Sequence, residues 1–352
     1  MNVFDPEALS RCMSCGFCLP ACPTYALTGD EASSPRGRIT LMRGIEDGTV
    51  PLADPSVREQ ASMCLGCRAC EPVCPADVPY GLLLEQWRDA AWRGRRTPWL
   101  VRPLLALTRH DLLLRVLGRL RRHARPGPRR HPGPHLMLGC VERVLFPGVS
   151  RAAQAIDPEL QPGRGPGCCG ALHAHNGRLG EGEAMGRALG GRLPGTIVTT
   201  SGGCAAHLAA VLGRDRVAEL SEWIVRRGLL PRARAGARPR VAIQDSCHLR
   251  NGLGVAATIR TAVGTVAEIV ELPSAQDCCG AAGTYSLLRR RDSARVVAPK
   301  IQEIARAKVD LVVTVNPGCQ RQLRTAVRKA GLRVRVVHLA ELIGGALGTP
   351  SR

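Results

Sequence analysis

Eight of the sixteen cysteines in this 352-residue chain fall into two copies of one pattern. The first is Cys12-x2-Cys15-x2-Cys18-x3-Cys22-Pro23; the second is Cys64-x2-Cys67-x2-Cys70-x3-Cys74-Pro75. Three thiolates at two-residue steps on a tight loop can grip three corners of an iron–sulfur cubane, and a distant fourth closes the cage. Zinc is a rival, because paired C-x2-C units also make tetrahedral sites. Zinc asks for two pairs, however, and here three evenly stepped cysteines precede a fourth and a proline, twice. Disulfides are the second rival. The chain opens MNVFDPEALS, with no basic start, apolar core or small-residue cleavage site, so nothing points to export. Cysteine-rich intracellular chains bind metal more often than they form disulfides. The chemistry expected at these eight positions is electron transfer, in a cytoplasmic protein.

In the two-cluster ligand run of bacterial ferredoxins, each motif gives three thiolates to one [4Fe–4S] cluster and its fourth to the other. That pattern assigns cluster one to Cys12, Cys15, Cys18 and Cys74, and cluster two to Cys64, Cys67, Cys70 and Cys22.

The other eight cysteines belong to an internal repeat. HLMLGCVERVLFPGVSRAAQAI around Cys140 parallels VAIQDSCHLRNGLGVAATIRTAV around Cys247. Cys168-Cys169-Gly170 parallels Cys278-Cys279-Gly280, and GTIVTTSGGC, ending at Cys204, parallels DLVVTVNPGC, ending at Cys319. Each repeat reads as strand, Cys loop, helix, CCG turn, helix, strand, Cys loop and helix. Alternation of strands and helices predicts parallel sheets flanked by helices. Ligands in open α/β sheets gather at the carboxyl ends of the strands, so the thiols sort into two sets. One is Cys140, Cys168, Cys169 and Cys204; the other is Cys247, Cys278, Cys279 and Cys319. Buried structural cysteine is the bland alternative, but packing alone would not put four thiols at matching places in both repeats. His173, His175, His207 and His248 lie near these cysteines in sequence, and His248 directly follows Cys247.

The expected architecture is α+β and multidomain. Residues 1–122 form a mostly helical two-cluster ferredoxin-type domain with a basic helical extension. Residues 123–135, dense in Pro, Gly and Arg, form a linker. Residues 136–235 and 236–352 form two repeated α/β cysteine-rich lobes. The formal charge of +20 rests on 46 Arg and only 3 Lys. Thirteen of those arginines lie between Arg88 and Arg130, against Asp89 and Asp111 alone. There Leu100, Leu104, Leu107, Leu114 and Leu117 are expected on one helical face. A basic amphipathic helix suits core packing, partner docking or an anionic membrane surface. No run approaches the roughly 18–20 apolar residues of a membrane-spanning helix, so membrane contact would be peripheral, at the cytoplasmic face. Trp87, Trp92 and Trp99 beside the arginines raise single-stranded nucleic acid, but no recognition motif accompanies them, and nucleic acid is not expected. Gly165-x-Gly167-x-x-Gly170 and Gly252-x-Gly254-x-x-Ala257 formally match a dinucleotide fingerprint. Neither opens the first turn after a strand, as phosphate binding requires. Without a nucleotide, hydride abstraction from a substrate has no acceptor in this chain, and no catalytic residue is assigned.

In these motifs the chain resembles the glycolate oxidase (glycolate dehydrogenase) iron–sulfur subunits. More broadly it is similar to the CCG-domain proteins that include heterodisulfide reductase and the iron–sulfur subunits of lactate and glycerol-3-phosphate dehydrogenases. The matching segments run nearly end to end. They include CGFCLPACPTY at Cys15–Tyr25, SPRGRITLMR at Ser34–Arg43, GCCGALHAH at Gly167–His175, CCGAAGTYSL at Cys278–Leu287 and NPGCQRQL at Asn316–Leu323. The resemblance implies a subunit that takes electrons from a flavin-bearing 2-hydroxy-acid dehydrogenase partner and passes them to a quinone-type acceptor. A disulfide reductase-like subunit, or one serving lactate or glycerol 3-phosphate, is the alternative. Heterodisulfide-reductase repeats end in C-x-x-C and have five cysteines each; here Ser201 and Asn316 stand at the leading positions. The four thiols left in each repeat suit a further iron–sulfur cluster or a zinc ion.

Overall fold

The computed structural model describes residues 2–93, 97–109, 116, 133–163, 167–231 and 238–347. The N-terminal part contains no strand among its described residues. Its helices start where an Asp or Ser caps a proline: Asp5 before Pro6–Ser10, Ser34 before Pro35–Glu46 and Asp54 before Pro55–Met63. Each cap side chain accepts from a backbone N–H of the first turn, and proline loses nothing at a position whose N–H would be orphaned. Helix Tyr80–Trp92 buries Leu83, Leu84, Trp87, Arg88, Ala91 and Trp92. That stripe packs on Ile39 and Met42 of Pro35–Glu46 and on Phe4, which meets Trp87 edge-on at 6.4 Å.

The second part holds two four-stranded, wholly parallel sheets. Strands β1 (His135–Met137), β2 (Gln161–Pro162), β3 (Ile197–Thr199) and β4 (Val217–Glu219) lie in the order β2-β1-β3-β4. Strands β5 (Arg240–Ile243), β6 (Glu268–Ile269), β7 (Leu311–Thr314) and β8 (Arg335–His338) repeat that order as β6-β5-β7-β8. His135 pairs with Ile197 in one sheet, and Val241 with Leu311 in the other. The short Ile/Val/Leu runs are buried on both faces, as helices on each side of a parallel sheet require.

Three details differ from the sequence reading. Each repeat has four strands rather than two, because the two-residue β2 and β6 and the runs VAE and RVVH also pair. His135, placed in the linker, opens β1 and is buried; the rest of that linker lies almost wholly outside the described residues. In the basic segment, helix Arg102–Arg109 with the turn before it buries Val101, Leu105 and Thr108, while Leu100 is exposed and Leu104 and Leu107 are half-buried. The buried face is set by what the helix packs on, and it lies a third of a turn from the leucine stripe. Leu114 and Leu117 lie outside the described residues. Trp87 and Trp92 are buried and only Trp99 is exposed, so the tryptophans form no stacking surface.

The two lobes are not separate bodies. One apolar core runs from Leu136, Val198 and Leu220 of the first to Val241, Val313 and Leu339 of the second. The loops beyond β3 and β7 join directly: Gly202 N–H donates to Val315 O at 3.1 Å, and His338 Nε2 lies 2.8 Å from Thr200 O.

Candidate metal centres

The two ferredoxin-type loops share one backbone shape. Residues two after the first cysteine, Ser14 and Gly66, and one after the second, Gly16 and Arg68, all have φ between 57° and 91°. Left-handed steps at matching places turn the two loops in the same way. Cys12, Cys15, Cys18 and Cys74 line one small cavity, together with Cys70 of the second motif. Cys22 instead faces the second loop, where Cys67 and Cys70 feel its charge together with that of Cys64. It shares a crevice with Cys67. Each motif's fourth cysteine thus stands with the opposite motif's first three. The donor set, four soft thiols around each centre, fits an iron–sulfur cubane.

Charge and hydrogen bonds around the second set are arranged for an anion. Arg38 is wholly buried; its Nη1 donates to Thr24 Oγ1 at 3.1 Å and its Nε to Gln60 O at 3.1 Å. Burial works against its charge, yet the Tyr80, Cys64 and Cys22 side chains raise its pKa above the ordinary guanidinium value. Gly66 N–H lies 3.4 Å from Cys64 Sγ. Arg88, also buried, donates to Ala61 O at 3.0 Å, Cys64 O at 2.5 Å and His175 O at 3.1 Å. One guanidinium therefore ties the second loop to the first lobe. Burial pushes the Cys67 and Cys70 thiols up. The first loop differs in exposure: Cys15 is exposed, with Met13 at 69% and Phe17 at 66% beside it.

The eight remaining thiols all line a single cavity of about 330 Å³ between the lobes. Cys140 follows β1 and Cys247 follows β5, whereas Cys204 and Cys319 sit in the first turns of helices Gly202–Leu212 and Pro317–Lys329. Gly170 and Gly280 carry Cys168-Cys169 and Cys278-Cys279 into the cavity with φ of 93° and 77°. A Cβ on Gly170 would meet Gly182 O at 2.0 Å, so only glycine allows that turn to close against its helix. Within each set the thiols touch. Cys279 Sγ lies 3.0 Å from Cys319 Sγ, and hydrogen bonding with Cys278 and Cys319 holds the Cys279 thiol well below its ordinary pKa. A bond from Cys140 likewise lowers Cys168. The two sets, separate in sequence, face each other. Where five-cysteine repeats carry a further thiol, Ser201 Oγ donates to Asn316 Oδ1 at 2.8 Å across the junction.

Cys67 lines this cavity as well, and the nearby Cys247 charge raises its pKa further. The thiol sites therefore run in order, from the exposed first loop through the buried second loop to the inter-lobe cavity. Of the histidines, His175 and His248 line the cavity with rings 5.2 Å apart. His173 faces Thr108 at 3.2 Å and His207 faces Gly182 O at 3.2 Å. His175 Nδ1 lies 2.7 Å from Glu85 Oε1; burial opposes that carboxylate's charge, but the His175 bond outweighs it and keeps the carboxyl below its ordinary value. Sequence reasoning missed Arg38, Glu85 and Arg88. The signal was there in Glu85 and Arg88, charged residues three apart inside an apolar helical stripe.

Comparison with known proteins fits this arrangement. A 4Fe-4S dicluster domain model matches residues 8–78, and a cysteine-rich domain model matches residues 241–324. A probable glycolate oxidase iron-sulfur subunit of Bacillus subtilis (strain 168) is 31% identical, covering 98% of this chain and 95% of its own. The glycolate oxidase iron-sulfur subunit of Escherichia coli (strain K12) is 29% identical, over 96% and 94%. A fumarate reductase (CoM/CoB) subunit from Methanothermobacter marburgensis is 26% identical, over 96% of this chain and 72% of its own. In fold alone, the chain is similar to a hypothetical protein from Helicobacter pylori, with a TM-score of 0.55 at 8% identity over 92% of this chain and 70% of that one. At 31% identity over nearly the whole length of both chains, the chain belongs to the family of glycolate oxidase iron–sulfur subunits.

Proposed function

We propose that the chain relays electrons from a flavoprotein that oxidises a 2-hydroxy acid, glycolate first among them, to a quinone-type acceptor. The observation that carries this is the order of the thiol sites, exposed at one end and buried at the other. Cys12, Cys15, Cys18 and Cys74 hold the first [4Fe–4S] cluster, and Cys64, Cys67, Cys70 and Cys22 hold the second. Such a cluster passes one electron at a time. The flavoprotein meets the first loop at Met13 and Phe17, where apolar side chains stand in solvent. Arg38 and the Gly66 N–H favour the reduced, more negative state of the second cluster. The eight inter-lobe thiols hold a further centre, an iron–sulfur cluster or zinc. Substrate oxidation itself takes place on the partner.

The layout that goes with this is a two-cluster region over residues 1–122 and lobes over 136–235 and 236–352, with the first lobe beginning one residue earlier, at His135. No helix among the described residues is long and apolar enough to cross a membrane. Trp99, 73% exposed, and the exposed Leu100 beside the arginines suit contact with an anionic membrane surface on the cytoplasmic side, where a quinone would be found. Disulfide reduction in the inter-lobe cavity is disfavoured, because Ser201 and Asn316 bond to each other where that chemistry has cysteines.

Purification with the flavoprotein, followed by metal analysis and substrate titration, tests the proposal. Roughly eight irons per chain account for two clusters; more iron, or zinc, reports the inter-lobe centre. Glycolate should bleach the cluster absorption of the complex, and a quinone should restore it. Clusters that stay oxidised with glycolate, lactate and glycerol 3-phosphate alike would overturn it.

A further inference from the structure

A second cavity, of about 350 Å³, opens beside the second ferredoxin-type loop, and no cysteine lines it. It adjoins the inter-lobe thiol cavity, with which it shares Leu65, His175 and His248, but presents no thiol of its own. One wall is Leu65 and Gly66, the two residues between Cys64 and Cys67. Leu84, Leu179 and Trp92 add apolar surface. Among its polar groups are the Glu85–His175 pair and Tyr285, while Thr284 and Asn176 bond to each other. Tyr285 is 4% exposed, and its hydroxyl has no hydrogen-bond partner among the described residues. A buried phenol left unpaired is costly and calls for a ligand acceptor.

The charges around the cavity narrow the ligand. Each arginine that lines it is already engaged: Arg68 with Glu71 at 2.7 Å, Arg187 with Glu183 at 3.3 Å, and Arg88 with three carbonyls. A carboxylate or phosphate would find carboxylates nearby and no uncommitted cation. His207 and His248 line the cavity too, His207 facing Gly182 O at 3.2 Å. A neutral, flat molecule with carbonyl oxygens suits apolar walls, a phenol donor and the histidine held by Glu85.

We propose that this cavity is the acceptor site and that it takes a quinone headgroup, with Tyr285 donating to one carbonyl oxygen and the His175–Glu85 pair serving the other. This deepens the proposed function and rests on its quinone reading. Two electrons leave the clusters one at a time, supplied by hydroxy-acid oxidation on the flavoprotein. Two protons enter from solvent, and both quinone C=O groups become C–OH. The site is placed for this because its wall is the loop that carries the second cluster's thiols.

The test uses the full-length, cluster-loaded, oxidised chain and decylubiquinone, with the Kd read by calorimetry. Tyr285→Phe removes only the hydroxyl and should raise the Kd about threefold to tenfold. Ala210→Trp, on an exposed helix position at the cavity rim, should raise it more than tenfold by filling the mouth. Iron content equal to the unaltered chain is the check that each variant folds. Should Tyr285→Phe lose iron, the rim variant decides alone. If the unaltered chain binds decylubiquinone and the variants leave the Kd unchanged, the acceptor site is elsewhere and only this inference falls. If the unaltered chain neither binds decylubiquinone nor passes electrons to it from reduced clusters, the quinone reading falls with it.

Discussion

Arg38 shows how much a single buried charge can decide. Its guanidinium lies beside Cys22 and Cys64 with no carboxylate partner among its hydrogen bonds. It is thus free to offset cluster charge, and potentials follow local charge and hydrogen bonding. Replacing it, as in Arg38→Met, should lower the midpoint potential of the second cluster and leave the first nearly unmoved, as read by a redox titration followed by electron paramagnetic resonance. The crossed fourth ligands give a paired expectation. Cys22→Ser should damage the cluster of Cys64, Cys67 and Cys70, and Cys74→Ser that of Cys12, Cys15 and Cys18; damage confined to each residue's own motif would refute the exchange. A third prediction concerns Glu219, buried in β4 and pushed up to about 7 by desolvation. A carboxyl that holds its proton more tightly when folded stabilises the fold below its ordinary value of 4.5, and that stability is lost as pH rises towards 7. The loss should run at roughly 1.4 kcal/mol per pH unit within that window. Glu219→Gln should therefore flatten the fall in thermal stability across that window; a parallel profile would refute the assignment. The cysteines were legible in sequence because their spacing is local. Arg38, Glu85 and Tyr285 were not, because their surroundings are assembled from distant parts of the chain, 14 residues away for Arg38 and 90 for Glu85.

At the scale of elements, helix Tyr80–Trp92 carries the most. It buries its apolar stripe against Pro35–Glu46, and from that stripe it sends Arg88 to the second loop and to the first lobe. Arg88→Met leaves three carbonyls, two of them buried, without that donor, so a loss of about 3–5 kcal/mol is expected, measured by denaturant unfolding. Faster release of iron from the second cluster should accompany it, because Cys64 O is one of the three. A stability change below about 1 kcal/mol would show that water replaces the guanidinium. The internal repeat, with its short apolar runs between helical stretches, was enough to foresee helices and two of the four strands in each lobe. Periodicity failed for helix Arg102–Arg109. There Leu104 lines the thiol cavity and Leu107 packs beside Cys140 and Cys168, while Leu105 faces the interior. A helix with apolar residues on more than one face takes its orientation from what it covers, and periodicity cannot say which face that will be.

For the whole molecule, the internal repeat foretold two lobes of like topology but not their shared core. Because Val198 and Leu220 pack in one cluster with Val313 and Leu339, the lobes should unfold as one unit. Calorimetry should give a single transition for residues 135–347, and residues 135–235 expressed alone should lack a cooperative transition; two separate transitions would refute the single core. The Ser201–Asn316 bond lies where the two repeats face each other, and its two partners are unlike. Were two identical chains to pair there, each residue at the axis would have to meet its own copy. Joined in one polypeptide, the two halves are released from that constraint, and a serine on one side can answer an asparagine on the other. The single chain can therefore place unlike partners at its centre, which a symmetric pair of one lobe could not.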